Sequence, residues 1–371
     1  MNILITIPSV SKKWGGTTSS VKNFYYGLTK LEGINCTIVS TYTTSEKNEI
    51  DSEILNNSDL ILFETKSESW RYSKDLKNYI KDNIKNYDLV WIHTLWTGTS
   101  YYASKYSKKN NIPYIVTPHG MIEPEALKRK GFKKKIYWSL IEKKIFDYAS
   151  AIHCITQAEK TYSNKLTKTK AFVVPNGTEK ETFLEKNFEL LNSISFIGRF
   201  HEIKGLDLLL KSLVNIKNLN LIIAGGGEKN YEEYIYNLVK QLQLEERVKF
   251  KGFVDNKIKR EIFKQSLFLV LPSYSEGLSM VGLEAIMNST PVLTSEKCNF
   301  KEIKDFNAGM IMKNNAIKTL ESYINLMIKS DIEKMSKNAY NLALEKFSID
   351  SVSKNIYKEF EKIVNETSKL R

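Results

Sequence analysis

The chain has 371 residues, 42% of them hydrophobic and 26% charged, with a formal net charge of +13. That length fits two globular domains, and no apolar run approaches the ~18 residues of a membrane span. The positive balance leaves open nucleic acid, an anionic membrane surface or a phosphorylated substrate as partner.

Three cysteines, Cys36, Cys154 and Cys298, lie far apart without metal-ligand spacing. They fit buried free thiols in a reducing, cytoplasmic compartment. The opening MNILITIPS has no basic region and no cleavage site, and it reads as a first strand rather than a leader. After it come a Trp14-Gly15-Gly16 loop, N-cap candidates Thr17–Ser20, a helix to about Leu31 and a strand at Asn35–Ser40. This is a βαβ unit without the full GxGxxG pattern, so it carries no claim to a dinucleotide. Strands are predicted at Asp59–Phe63, Asp88–His93, Ile112–Thr117, Ala151–Ile155 and Ala171–Val174, with a helix over Thr99–Asn110. Short strands alternating with longer helical patterns predict a doubly wound parallel sheet. The polar stretch Lys180–Leu191 reads as a domain boundary.

A second alternating series follows. Strands are predicted at Ser193–Gly198, Asn220–Ala224, Val248–Lys251, Leu267–Pro272, Pro291–Ser295 and Gly309–Met312. Helices are predicted near Lys204–Val214, Asn230–Leu242, Lys257–Gln265 and Gly282–Asn288, then over Ile317–Ile328, Ile332–Lys346 and Ser351–Glu366. The expected organisation is 1–185, 186–350 and a final helix, 351–371, returning to the first domain. Two such α/β domains would face an interdomain cleft, a favoured ligand position.

Three constellations could carry chemistry. In FIGRFHEIKG, Arg199 and Lys204 follow a strand and suit phosphate, although both could be solvated surface cations. Ala224–Gly227 (AGGG) also follows a strand, and alone reads equally as a flexible loop. In LPSYSEGLSMVGLEAIMNSTP, Glu276 and Glu284 stand either side of a predicted helix start near Ser279. Such a start points free N–H groups at an anion. Were the segment mostly helical, eight residues would separate the carboxylates by roughly 12 Å, enough to meet each end of a nucleotide-sized ligand.

Taken together, GR…KG, AGGG, EGLSMVGLEA and TPV resemble the carboxy-terminal domain of glycosyltransferase family 4, the retaining GT-B enzymes. WGG, DLVWIHTLW, TPHGM, AIHCIT and VVPNG extend the resemblance over nearly the whole chain. The resemblance implies two Rossmann-like domains, with the donor held mainly by the second and the acceptor mainly by the first. Glu284 matches the residue holding the ribose, and Glu276 the one facing the donor hexose. Arg199 and Lys204 match the diphosphate-binding pair, with backbone amides of Gly277, Leu278 and Ser279 on the same phosphates. Gly16 matches a loop glycine near the diphosphate, His119 a histidine near the transferred sugar, and Asn176 the family's PNG turn.

The implied activity is sugar transfer from a nucleotide-diphosphate sugar to a glycan or lipid-linked acceptor, in surface polysaccharide or lipopolysaccharide assembly. No cofactor is implied. No two aspartates stand two residues apart, so the metal-binding DxD is absent and no metal is expected. Two departures are noted: Ser279 replaces glycine or proline, and Asn288-Ser289 replaces a run of small residues. His93 stays open between a site role and the core, while His153 and His201 read as structural or surface.

The run Leu127–Lys144, LKRKGFKKKIYWSLIEKK, sets Lys128, Arg129, Lys130, Lys133, Lys134, Lys135, Lys143 and Lys144 among apolar residues. Over 127–145 this suits an amphipathic helix on an anionic membrane, giving a peripheral protein at the inner face. A solvated helix packing on its own domain is the alternative, and no nucleic-acid motif accompanies the charge. The rival functions are a sugar-nucleotide epimerase of the same fold and a non-catalytic sugar-nucleotide-binding partner of a transferase complex.

Overall fold

The computed structural model describes residues 1–50, 59–128 and 136–369, and the core of the basic run, 129–135, lies outside them. The chain divides into two compact units, Met1–Gly177 with Ile349–Arg371, and Thr178–Ser348.

In the first unit, β1 (Asn2–Ile7), β2 (Asn35–Tyr42), β3 (Leu60–Glu64), β4 (Leu89–His93), β5 (Tyr114–Thr117), β6 (Ala151–Cys154) and β7 (Ala171–Val173) form one sheet. Its order is β3-β2-β1-β4-β5-β6-β7, and every pairing is parallel. All five residues of β4 are buried because helices cover both faces, which is why it reads as an unbroken apolar run. The helices are α1 (Gly16–Thr29), α2 (Lys74–Asn83), α3 (Gly98–Lys109), α4 (Pro124–Lys128), α5 (Lys143–Asp147) and α6 (Gln157–Leu166). A π-helical turn at Trp138–Glu142 leads into α5.

The second unit carries β8 (Ser193–Ile197), β9 (Asn220–Ala224), β10 (Val248–Phe250), β11 (Leu269–Leu271), β12 (Val292–Ser295) and β13 (Gly309–Met312). They form a parallel sheet in the order β10-β9-β8-β11-β12-β13. Around it lie α7 (Leu206–Leu213), α8 (Lys229–Gln241), α9 (Asn256–Lys264), α10 (Met280–Met287), α11 (Glu302–Asp305), α12 (Ile317–Lys329) and α13 (Ile332–Leu342). Each sheet reverses its strand order beside its first strand, and loops at the carboxyl ends of those strands are where such folds bind ligands. The helix expected near Lys204–Val214 is α7, which begins at Leu206 after a 3₁₀ turn, Glu202–Lys204, and Gly205 with a left-handed φ of +69°.

The last helix, α14 (Ile349–Lys369), belongs to the first unit. Val352, Ile356, Phe360 and Ile363 recur at helical spacing and are buried in that unit's core. Phe360 meets Trp91 of β4 edge to face, with ring centroids 4.9 Å apart. Each fully buried chain of this kind contributes about 1.5–3 kcal/mol, so the helix is fixed by packing rather than propensity. It crosses α1 at Gly27, where a Cβ would fall 1.9 Å from Ser353 Oγ and 2.5 Å from Ile349 Cγ2. Gly27→Val should therefore lower stability by about 1–3 kcal/mol, read as a reduced denaturant midpoint with an unchanged slope. An unchanged midpoint would show that α14 does not pack there.

Candidate functional site

In the second unit, backbone contacts gather the predicted residues. A Cβ on Gly205 would fall 2.4 Å from Pro272 O, so only glycine lets the 201–205 turn reach the loop after β11. The Tyr274 N–H donates to Ile203 O at 2.8 Å and fixes that contact. Lys204 and Glu276, 72 positions apart in the chain, consequently form an ion pair. The Glu276 main chain is also tied to the loop after β12: its N–H donates to Lys297 O at 3.0 Å, and Asn299 Nδ2 donates to its carbonyl at 2.8 Å.

Glu276 stands in this loop, before α10, and the stretch to Glu284 is not mostly helical. The premise of a 12 Å helical separation is thereby corrected: α10 starts only at Met280. Ser279 caps that helix, its Oγ accepting from the Gly282 N–H at 3.3 Å. The departure from the family at this position thus supplies a cap. Gly277 and Leu278 precede the helix, and the N–H groups of its first turn have no intrahelical partner. Glu284, in the second turn, pairs with Lys259 of α9 at 2.7 Å. Nothing in KIKREIFK singles out Lys259, since neighbouring cations share its spacing. Arg260 turns elsewhere, to Asn288 Oδ1 at 2.6 Å and Glu181 at 3.0 Å. Ser289 takes φ +53°, and its Oγ accepts from the Leu184 N–H at 3.0 Å, so Asn288-Ser289 serves local packing.

Arg199 is exposed on the loop after β8. That loop lies against the AGGG loop: the Phe200 N–H donates to Gly226 O at 2.8 Å, and a Cβ on Gly225 would sit 2.0 Å from Gly198 O. The AGGG stretch is therefore a close backbone approach. The second unit thus collects Arg199, Lys204, Glu276, Gly277, Leu278, Ser279 and Glu284 at the carboxyl ends of its strands. The exposed Arg199, the half-buried Lys204 and the first-turn amides beside two carboxylates suit a ligand with both phosphate and hydroxyl groups.

Gly16 and His119 lie in the first unit. Gly16 is the exposed first residue of α1. The turn bearing Asn176 is buried against α1: Ser20 Oγ donates to Asn176 Oδ1 at 2.6 Å, and Asn23 Nδ2 to Gly177 O at 2.8 Å. His119, half-buried after β5, adopts φ +54°. Its Nε2 lies 2.8 Å from His93 Nδ1, and the rings stack at 5.1 Å. Burial lowers the His119 pKa to about 3, with a smaller push from His153, and lowers His93 well below the usual range. Both are neutral near pH 7.

Glu159 holds this turn from behind, accepting from the Gly120 N–H at 2.6 Å and the Ile155 N–H at 2.9 Å. His153 is core: its Nε2 faces Val174 O at 2.8 Å and its Nδ1 faces Thr117 Oγ1 at 2.9 Å. His201 Nδ1 accepts from the Ile203 N–H at 3.1 Å and caps the turn that carries Lys204. The sequence did not mark Lys259, Glu159 or the His93 contact: Lys259 meets Glu284 of α10, and Glu159 and His93 both meet the turn at 119–120. Among the described residues, no group of three or more His, Cys, Asp or Glu is placed to hold a metal ion.

Two parallel α/β units with the ligand-suited groups on strand-end loops define the GT-B class of fold. Anabaena HepE, solved in complex with UDP and glucose, is similar with a TM-score of 0.77 at 16% identity, covering 98% of this chain and 100% of its own. Residues 178–342 match the family described as glycosyl transferases group 1, and residues 14–182 match glycosyltransferase family 4. The chain belongs to the family 4-like glycosyltransferases. An uncharacterized glycosyltransferase of Methanocaldococcus jannaschii is 27% identical, over 97% of this chain and 98% of its own. The O-antigen biosynthesis glycosyltransferase WclY of Escherichia coli is 25% identical, over 70% of this chain and 75% of its own.

Glu142, in the π-helical turn, offers a pH-dependent test of the first unit. Its Oε1 accepts from the Trp96 N–H at 2.7 Å, while its buried Oε2 has no hydrogen-bond partner among the described residues. Burial raises its pKa to about 7, against a lesser lowering by the Trp96 N–H. A carboxyl raised on folding favours the folded state fully below its unfolded pKa of about 4.3, and that contribution is lost as pH rises through about 7. Glu142→Gln should therefore raise the melting temperature relative to the parent at pH 8 and change it far less at pH 5. Equal shifts at both pH values would contradict the buried acid.

Proposed function

We propose that this glycosyltransferase is a metal-independent, retaining hexosyltransferase. It moves a sugar from a nucleotide-diphosphate sugar to a glycan or lipid-linked acceptor in surface polysaccharide or lipopolysaccharide assembly. The supporting observation is the pairing of each glutamate with a lysine on either side of the α10 N-terminus. Glu284 then holds ribose hydroxyls, and Glu276 holds hydroxyls of the donor hexose. Arg199, Lys204 and the amides of Gly277, Leu278 and Ser279 take the diphosphate, with Gly16 close to it and His119 near the transferred sugar. The first unit holds the acceptor.

When the sugar–phosphate C–O bond breaks, its electron pair leaves with the diphosphate. Arg199, Lys204 and the helix end stabilise that charge, an electrostatic contribution of several kcal/mol. The acceptor oxygen attacks from the same face, and its proton passes to the departing phosphate. The name of WclY favours O-antigen-type assembly, and HepE, solved in complex with UDP-glucose, favours a UDP-sugar donor.

The decisive experiment is a thermal-shift panel of nucleoside diphosphates and nucleotide sugars. UDP or a UDP-sugar should stabilise the protein, and Glu284→Gln should weaken that effect. Arg199→Ala and Lys204→Ala should each cut transfer by roughly 10²-fold or more. No stabilisation by any member of the panel would overturn both this reading and the epimerase alternative. Donor turnover without an acceptor would select the epimerase, and binding without turnover the non-catalytic partner.

Peripheral membrane docking through 127–145 forms part of the same proposal. Among the described residues of that run, Leu140 and Ile136 are exposed, 63% and 47%, near exposed Lys143 and Lys144. No described helix is long and apolar enough to cross a membrane. The protein should sediment with anionic vesicles at low salt, more weakly after Leu140→Glu. Failure of the parent protein to do so would remove this part of the proposal.

A further inference from the structure

In the first unit, four buried polar side chains lie close together: Trp91, Thr117, His153 and His93. Part of their hydrogen bonding has a fixed direction. Val174 O can only accept, so His153 Nε2 carries that ring's proton. His153 Nδ1 is then an acceptor, and the Thr117 hydroxyl donates to it. Thr117 Oγ1 in turn accepts from the Trp91 indole N–H at 2.7 Å. His93 stands outside this chain, its ring tilted at 48° to that of Trp91 with centroids 4.4 Å apart, and its buried Nε2 has no hydrogen-bond partner among the described residues.

Two neutral imidazoles joined by one hydrogen bond share one proton between the facing nitrogens. If His119 Nε2 held it, His93 would have to carry its own proton on Nε2. That would bury an N–H with nothing better to meet than the Trp91 ring, a weak substitute for an acceptor. Orphaned buried N–H groups are the rarer kind of unpaired polar group. If His93 Nδ1 holds the proton, Nε2 is left only as a bare lone pair. His119 is then the Nδ1–H tautomer, and the N–H is on the nitrogen away from His93.

We propose that His93 is a positioning residue: its Nδ1–H donates to His119 Nε2, fixing His119 as an Nδ1–H hydrogen-bond donor toward an oxygen of the bound substrate. Three contacts hold the donor in place. They are the His93 bond, the left-handed backbone at His119, and Glu159 accepting from the next residue's N–H. His119 in this state gives a proton to a hydrogen bond; it does not collect one from an acceptor hydroxyl. The tautomer assignment stands on the hydrogen-bond geometry of two neutral rings, while its role toward substrate rests on the glycosyltransferase reading above.

The chain has four histidines, so each ring can be assigned by single substitution. In ¹⁵N-histidine-labelled protein, long-range ¹H–¹⁵N correlation spectra should show His119 protonated at Nδ1. Finding it protonated at Nε2 overturns the proposal, whatever the protein's activity. In transfer assays, His93→Leu should lower kcat by roughly 10–100-fold, the range seen for outer partners of metal-bound histidines, with the donor KM little changed. His93→Asn should recover part of that loss, because its amide N–H can still donate to His119 Nε2. Equal losses in both variants, with the His119 tautomer unchanged in each, would also overturn it. If no transfer is detected with any donor, the transferase reading fails separately and the spectra still decide the tautomer.

Discussion

The ion pair between Lys204 and Glu276 is where the local rules of the second unit meet. Neither residue could reach the other without the left-handed turn at Gly205, and that turn has room only because no side chain stands between it and Pro272 O. The same contact brings the loop after β8 against the loop after β11, which are neighbouring strands of a parallel sheet. Because the strands are parallel, both loops emerge at the same end. Charge, amides and carboxylates therefore collect on one side by topology, and the fine placement falls to a few backbone contacts.

The first unit solves a different problem. His93, His153, Thr117 and Trp91 are fully buried polar side chains on adjacent parallel strands. A buried polar group is tolerable only when its hydrogen bonds close. Most here do, and the direction of those bonds is set by the one group that can only accept, Val174 O. The atom left open among the described residues, His93 Nε2, belongs to the ring whose Nδ1 faces His119, which leaves the core. Completed bonding in the core and an incomplete bond at its edge together give His119 its fixed orientation.

The sequence was most legible where the period was strong. β9 and β13 occupy the residues that their apolar runs suggested, and α12 and α14 begin or end within a few residues of the periodic pattern. It was least legible where geometry depends on a neighbour. The 3₁₀ turn at Glu202–Lys204 was not foreseen, and Gly205 moves the start of the following helix from near Lys204 to Leu206. Helix α6 went unread because its sequence, QAEKTYSNKL, is mostly polar, although Thr156 and Glu159 supply its cap. In the candidate site, the order of motifs marked Arg199, Lys204 and both glutamates. Lys259 could not be marked, because its meaning depends on α9 lying alongside α10.

The two lysine–glutamate pairs also bear on what the carboxylates can do. A carboxylate has two oxygens and several acceptor positions, so one in contact with a lysine can still accept from other donors. Such pairing suits glutamates that accept hydrogen bonds from hydroxyls. An ammonium group has three donors, so Lys204 can keep Glu276 while turning another N–H to an incoming anion. In each pair the carboxylate holds the nearby lysine beside it. Under the proposed donor binding, a diphosphate would meet charge already in place, which is the condition under which fixed charges stabilise a leaving group most.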